Sequence, residues 1–406
     1  MSYILQVLLL LLSNTIKFII PILFLPLSSR LLDKHDFESL SVLISFATWC
    51  AVIIEYGFNY SVAKKIKYDS SKNRLLVIIN STLSAKLILS LVALALGVYT
   101  ALYIDKFSVL SVLLFWSYSF FLGGMFSFVY VCRNNNKFLL QIEIIGGCAF
   151  LFMIFIIYFL QINNFYLVFS AIVIYRGIVF LLSVFFLKNI VDLEKVTIKI
   201  RSGTRLIIKT YTYALFQISS SLYLSGLGFI ASFAVGKNMV VYHLLAERIV
   251  KLAVFSFSPV SRVAYSYLNN MDVNRRFSFI SILCCIALFF GVIMMYITNA
   301  YSEDIVTVFF SKNFSAAHVN LDILSIALPF AFLNGIMCIS FFLPQGSMRY
   351  LNIVISSAGI IIMPICYFGA SYSPSLSASI SYVIIEIYIF IMLMIKFAPA
   401  LLAMRR

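Results

Sequence analysis

The chain has 406 residues, 63% of them hydrophobic and only 11% charged, with a net charge of +15. Soluble domains are about half apolar and a quarter charged, so this composition excludes a soluble enzyme and predicts a polytopic membrane protein. The apolar runs have helical length, not the short alternation of barrel strands, and the expected fold is all-α.

In chain order the apolar runs predict twelve transmembrane helices, at about 3–28, 38–63, 76–103, 108–132, 138–160, 165–187, 206–233, 239–267, 277–299, 319–343, 351–369 and 376–397. The first run begins almost at Met1, without a basic n-region or a small-x-small cleavage site, and reads as a retained span. Pro21 and Pro26 interrupt this first span, Pro329 the tenth and Pro364 the eleventh, while Gly226 and Gly228 follow Ser219-Ser220-Ser221 in the seventh. Such breaks are tolerated where neighbouring helices or water satisfy the freed carbonyls. Gly123-Gly124 and Gly146-Gly147 predict close helix packing.

The basic residues fix an expected topology. One set of loops, with the C-terminal tail, carries nineteen of them: Lys64, Lys65, Lys67, Lys72, Arg74, Arg133, Lys137, Lys188, Lys195, Lys199, Arg201, Arg205, Lys209, Arg275, Arg276, Arg349, Lys396, Arg405 and Arg406. The alternate set carries five: Arg30, Lys34, Lys106, Lys237 and Lys312. Under the positive-inside rule both termini are cytoplasmic, and the net charge is topological, with no need for a nucleic-acid partner. A lysine-rich linker, 188–205, is expected to lie on the inner surface against anionic lipid. It divides an N-terminal bundle of six spans, 1–187, from a C-terminal bundle, 206–406. The short outer turns Leu32–Phe37 and Val235–Val240 place lysine alike in both halves, as a parallel repeat about the membrane normal would.

Six basic residues remain inside the spans: Lys17, Lys86, Arg176, Arg248, Lys251 and Arg262. At 1.5 Å per residue the first five sit roughly 14–21 Å deep. Each charge at such depth costs roughly 2.5–3.5 kcal/mol and faces a bundle interior or a wet cavity as a rule. Glu247 and Lys251 are i,i+4 neighbours on one helix, with Arg248 about 100° around. The acids at depth are Glu55, Glu247 and Glu386, with Glu143 shallower. Pairing would leave an excess of cations from both halves. A shared hydrated cavity lined by Lys17, Lys86, Arg176, Arg248 and Lys251, selective for phosphate, pyrophosphate or acidic sugars, accounts for the set. Against it stand internal salt bridging for Glu247 with Lys251 and snorkelling for Lys17, Lys86 and Arg176.

Motifs for chemistry are absent from the sequence. The seven cysteines form no CxxC and read as small core residues. His35, His243 and His318 are scattered, and there is no zinc spacing, phosphate-binding glycine loop or nucleophilic triad. No cofactor or metal is expected.

Two stretches carry a family resemblance. Pro26-Leu-Ser-Ser-Arg-Leu-Leu-Asp33 with Glu55-Tyr-Gly-Phe-Asn-Tyr-Ser-Val-Ala-Lys64 resembles the first hairpin of the Wzx-type O-antigen flippases, which ends in a phrase like (D/E)-x-G-F-N-x-S. Val241-Tyr242, Ala246-Glu247-Arg248-Ile249, Pro259 and Tyr265 are similar to that family's Y-x-x-A-E-(K/R)-I … P … Y-P pattern, with Ser266 where the second proline is usual. The family belongs to the multidrug/oligosaccharidyl-lipid/polysaccharide (MOP) exporter superfamily, which includes lipid II flippases and multidrug antiporters. The resemblance implies two six-helix bundles with a MATE-like fold in the bacterial inner membrane. It implies translocation of undecaprenyl-pyrophosphate-linked O-antigen units to the periplasmic leaflet, with O-antigen polymerase and a chain-length regulator as partners. It also implies coupling to H+ or Na+, for which Glu247 and Glu386, and Glu55 beside them, are the candidates. The alternatives are export of another lipid-linked polysaccharide precursor, a small-molecule antiporter of the same superfamily, and a membrane polymerase or glycosyltransferase. The last would need a long outer loop rich in acid, arginine or histidine. The longest outer connection, about 300–318, holds only Glu303, Asp304, Lys312 and His318.

Overall fold

A computed structural model describes residues 3–63, 66, 71–103, 108–133, 135–268, 273–342 and 347–403. Lys64, Lys65, Lys67, Lys106, Arg405 and Arg406 lie outside the described residues, as do the side chains of Pro259, Arg262, Tyr265, Ser266, Arg275 and Arg276. Among the described residues all regular structure is helical. The order is α1 (Tyr3–Leu31), α2 (Lys34–Glu55), α3 (Phe58–Ser61), α4 (Lys72–Tyr103), α5 (Val109–Gly124), α6 (Ser127–Cys132), α7 (Asn136–Phe159), α8 (Phe165–Leu187) and α9 (Ile200–Ser221). A π-helical turn, Leu222–Gly226, leads into α10 (Leu227–Val235), then α11 (Lys237–Leu268), α12 (Val273–Ala300), α13 (Ser302–Phe309), α14 (Ala317–Ser325) and α15 (Leu328–Ile336). A second π-helical turn, Met337–Phe342, precedes α16 (Met348–Ala370) and α17 (Ser377–Ala403).

Ten helical stretches are long and apolar enough to cross a membrane, and the bent pair α14–α15, with 45° between its arms, makes an eleventh. The remaining expected span is α11, whose 32 residues have the length but carry Glu247, Arg248 and Lys251 in the interior. Large apolar side chains point outward, as with Phe289 at 69% and Tyr296 at 72% exposure on α12. Hydrocarbon, unlike water, imposes no cost on such a surface.

The chain folds as two compact units, Met1–Ser221 and Leu222–Arg406. The division falls within the seventh span, whereas the sequence suggested the basic linker. The reason is that α9 begins already at Ile200 and is fixed to α4. Thr197 bonds the Asn80 amide through both its hydroxyl and its N–H, the Lys199 N–H donates to Ser84 Oγ at 3.0 Å, and Gly203 lies on the Ser84–Ala85 backbone.

In the first unit, α5 lies against α2 closely enough that a Cβ on Gly123 would collide with the Ala51 carbonyl. The Ser119 hydroxyl donates to the Ala47 carbonyl at 3.0 Å, and Phe46 stacks on Phe115. In the second unit α11, α14 and α17 are tied by a buried chain, His243 Nδ1 to Ser379 Oγ at 3.0 Å and the Ser379 hydroxyl to Asn320 Oδ1 at 2.6 Å.

Spans seven and ten are interrupted near the suggested bends, at Leu222–Gly226 and between α14 and α15, whereas α1 runs unbroken through Pro21 and Pro26 and α16 through Pro364; spans two and four are interrupted where the sequence suggested no bend. Span two breaks at Tyr56 and Gly57, both left-handed at φ 52 and 68. Gly57 tolerates that conformation, and its missing Cβ also makes room for the Tyr213 carbonyl. Span four breaks at Met125, immediately after Gly123-Gly124. Each break leaves carbonyls without their intrahelical donor, and in a membrane these need a partner from elsewhere in the protein.

Candidate functional site

The acids and cations expected to line a cavity sit largely at these breaks. In the first unit the phrase Glu55–Ser61 is the break in span two. The Asn59 amide donates to Glu55 Oε1, Asn59 Oδ1 accepts from the Ser127 hydroxyl at 3.3 Å, and the Ser61 hydroxyl donates to the Gly57 carbonyl. Ser127 is the first residue of α6, so the same chain of bonds reaches the break in span four. Lys86 rises from α4 to that break. Its ammonium donates to the Gly123 carbonyl at 2.9 Å and to the Met125 carbonyl, and lies 5.0 Å from the centre of the Phe126 ring. The side chain is 1% exposed.

Arg176 answers a different interruption. A proline at position 21 has no N–H, so the carbonyl four residues earlier, that of Lys17, loses its intrahelical donor. Arg176 Nη2 on α8 donates to that carbonyl at 3.3 Å. The guanidinium also lies 4.5 Å from the Tyr175 ring centre and 3.9 Å from Glu143 Oε2, which accepts from the Tyr175 hydroxyl at 2.9 Å. Arg176 is 2% exposed.

The second unit repeats the theme. A π-helical turn leaves carbonyls out of register with their usual donors, and Lys251 donates to one of them, that of Leu224 in Leu222–Gly226. The same ammonium pairs with Glu247 Oε1 at 2.7 Å, the carboxylate being 3% exposed and the lysine 29%. Just before the other π-helical turn, the Asn334 amide donates to Glu386 Oε2 at 2.8 Å and to the Glu386 carbonyl at 3.0 Å, and Glu386 is buried.

Three of the five expected cavity cations are therefore engaged by backbone carbonyls that broken helices release. Lys17 and Arg248 differ. Both are half-buried, and among the described residues no hydrogen bond holds the Lys17 ammonium or Arg248 Nε. The structure brings Lys86 near Glu55 and Lys17 within the first unit, and Arg248 beside Glu247 and Lys251 within the second. Sequence reasoning missed Asn334, Ser379 and Asn320. Each is a polar side chain within an apolar span, a signal that identified charged residues only.

Among the described residues no group of histidine, cysteine and acidic side chains is arranged to hold a metal ion. What the fold and these residues define is a multi-pass helical membrane protein with buried charge at its helix breaks. Residues 5–272 match the family described as polysaccharide biosynthesis protein, and the chain belongs to that family. Its fold is similar to those of solved transporters and of a flippase. It superposes on an inward-facing multidrug resistance MATE transporter of the MOP superfamily with a TM-score of 0.69 and 15% identity, over 98% of this chain and 95% of the other. It superposes on the lipid II flippase MurJ with a TM-score of 0.77 and 14% identity, over 95% of this chain and 87% of that one. These structures are of transporters and a flippase, not of catalysts. A Shigella dysenteriae protein described as an O-antigen transporter is 28% identical over 105 residues, so that the match spans about a quarter of either chain.

Proposed function

We propose that this protein is a flippase for a lipid-linked oligosaccharide. It carries an O-antigen unit on undecaprenyl pyrophosphate from the cytoplasmic to the periplasmic leaflet of the bacterial inner membrane. The observation that carries the reading is the deep cation Arg248, whose buried Nε has no acceptor among the described residues, in a chain of the polysaccharide biosynthesis family. A diphosphate must be matched by cationic donors to leave water, and guanidinium and ammonium groups supply them. Lys17 and Arg248 are the donors offered to the diphosphate, each within its own unit. Lys86, Arg176 and Lys251 hold the backbone of their own units and add positive potential there. The polyprenyl tail stays in lipid throughout, and alternating access of the two units moves the head group. The Glu386–Asn334 and Glu247–Lys251 pairs are the places at which H+ or Na+ couples to that motion, with Glu55 the corresponding acid of the first unit. The distribution of the basic residues among the loops supports cytoplasmic termini. O-antigen polymerase and its chain-length regulator take up the product.

The test is a lipopolysaccharide gel on the host strain lacking this gene. The expected result is loss of the whole ladder, with complete lipid-linked units accumulating in the cytoplasmic leaflet and the ladder restored by the wild-type chain. A lipid core capped with a single unit would contradict the proposal, because units would still be crossing and polymerisation would be the step that failed.

A further inference from the structure

The surroundings of the Lys86 ammonium are those of a bound ion. Two backbone carbonyls released by a broken helix, those of Gly123 at 2.9 Å and of Met125, accept from it. The Phe126 ring presents its face at 5.0 Å, and the Glu55 carboxylate is close enough to act on it electrostatically. Carbonyl oxygens at an unwound helix end and an aromatic face are groups with which proteins hold a monovalent cation, and a nearby carboxylate adds attraction. The C-terminal end of α5 adds the negative end of its dipole. The side chain is 1% exposed, so no soluble ion enters while the ammonium is in place.

The position is also built from outside. Glu55 is held by Asn59 and Asn59 by Ser127, so that one chain of bonds joins the interruption of span two to that of span four. Lys86 bonds the second interruption from a third helix. Without its charge, two carbonyls in the middle of the unit lose their donor and Glu55 loses a neighbouring cation.

We infer that Lys86 is a tethered occupant of a monovalent-cation site in the Met1–Ser221 unit: its ammonium stands where a sodium, potassium or small alkylammonium ion would bind. The site in this chain thus holds its cation permanently and exchanges nothing with solution. This inference goes beyond the flippase reading and does not rest on it.

The experiment is a thermal melt of the purified full chain, wild type and Lys86→Ala, in detergent at constant ionic strength. Sodium, potassium or methylammonium chloride replaces N-methylglucamine chloride. The wild-type Tm is expected to be the same in all four salts. Lys86→Ala is expected to melt lower in N-methylglucamine and to recover at least half of the loss in one of the small cations. A Lys86→Ala Tm equal to wild type, or one lowered and indifferent to every cation, overturns the inference. Lys86→Gln separates charge from hydrogen bonding and serves alone if Lys86→Ala yields no folded protein. Its amide lacks the charge and is one atom shorter, so a lowered melt that a small cation raises supports a cation requirement, and a lowered melt indifferent to every cation overturns it. A melt equal to wild type shows that any donor suffices and overturns it. The melt involves no transport, so its outcome stands whether or not the wild-type chain restores a polysaccharide ladder.

Discussion

Arg248→Ala is expected to lower translocation by about 100-fold or more while the protein inserts and melts like wild type. Arg248 projects from α11, is half-buried, and has a buried Nε with no acceptor among the described residues. Its removal therefore breaks no hydrogen bond of that Nε among the described residues. A buried charge-assisted contact to a ligand is another matter: truncating one partner costs about 2–5 kcal/mol, and each 1.4 kcal/mol is tenfold. The check is complementation of a deletion strain, reading ladder density against the amount of protein in the membrane fraction. A full ladder from Arg248→Ala would remove this residue from the diphosphate contact. A protein that fails to accumulate would give Arg248 a structural role instead.

Arg176→Met is expected to do the reverse, lowering stability strongly and activity only as a consequence. The side chain is 2% exposed and serves the Lys17 carbonyl, the Tyr175 ring and Glu143 together. Removing one partner of a buried ion pair costs about 3–5 kcal/mol, because the other is left charged and unmatched. The cause can be separated by a second substitution. Pro21→Ala returns an N–H to the helix exactly one turn after the Lys17 carbonyl, at the i+4 position. In the wild-type background that carbonyl already has the Arg176 donor; in Arg176→Met it has none. Pro21→Ala should therefore stabilise the Arg176→Met protein more than the wild type, by roughly 1–2 kcal/mol. Unfolding in mixed detergent and dodecyl sulfate micelles measures the cycle. A coupling of zero would mean that Arg176 acts through Glu143 alone.

The two variants show where the sequence was readable and where it was not. The helical spans were legible because hydropathy depends on local composition, and α11 could be picked out as a span carrying charge by its own residues. The closeness of α5 to α2 was legible in Gly123-Gly124. The partners of the deep cations were not. Pro21 announces that the Lys17 carbonyl is free, but nothing local says that Arg176, 159 residues later, supplies the donor. The π-helical turns at Leu222–Gly226 and Met337–Phe342 have no proline to mark them, and without them Lys251 reads as a cation seeking an anion. A lysine that serves backbone carbonyls and one that serves a substrate have the same sequence context. Only the positions of Gly123 and Met125 across the bundle distinguish Lys86 from Lys17.

Reconstitution follows the movement of a diphosphate-linked saccharide across a bilayer without the rest of the cell. The purified chain is placed in liposomes holding a fluorescent short-chain polyprenyl-diphosphate oligosaccharide, and the fraction accessible to a membrane-impermeant reagent is followed with time. Label protected in the inner leaflet is expected to become accessible with the wild-type chain, and far more slowly with Arg248→Ala. Protection that persists equally in wild-type, variant and protein-free liposomes, under an imposed proton or sodium gradient of either sign, would contradict the proposed flippase activity.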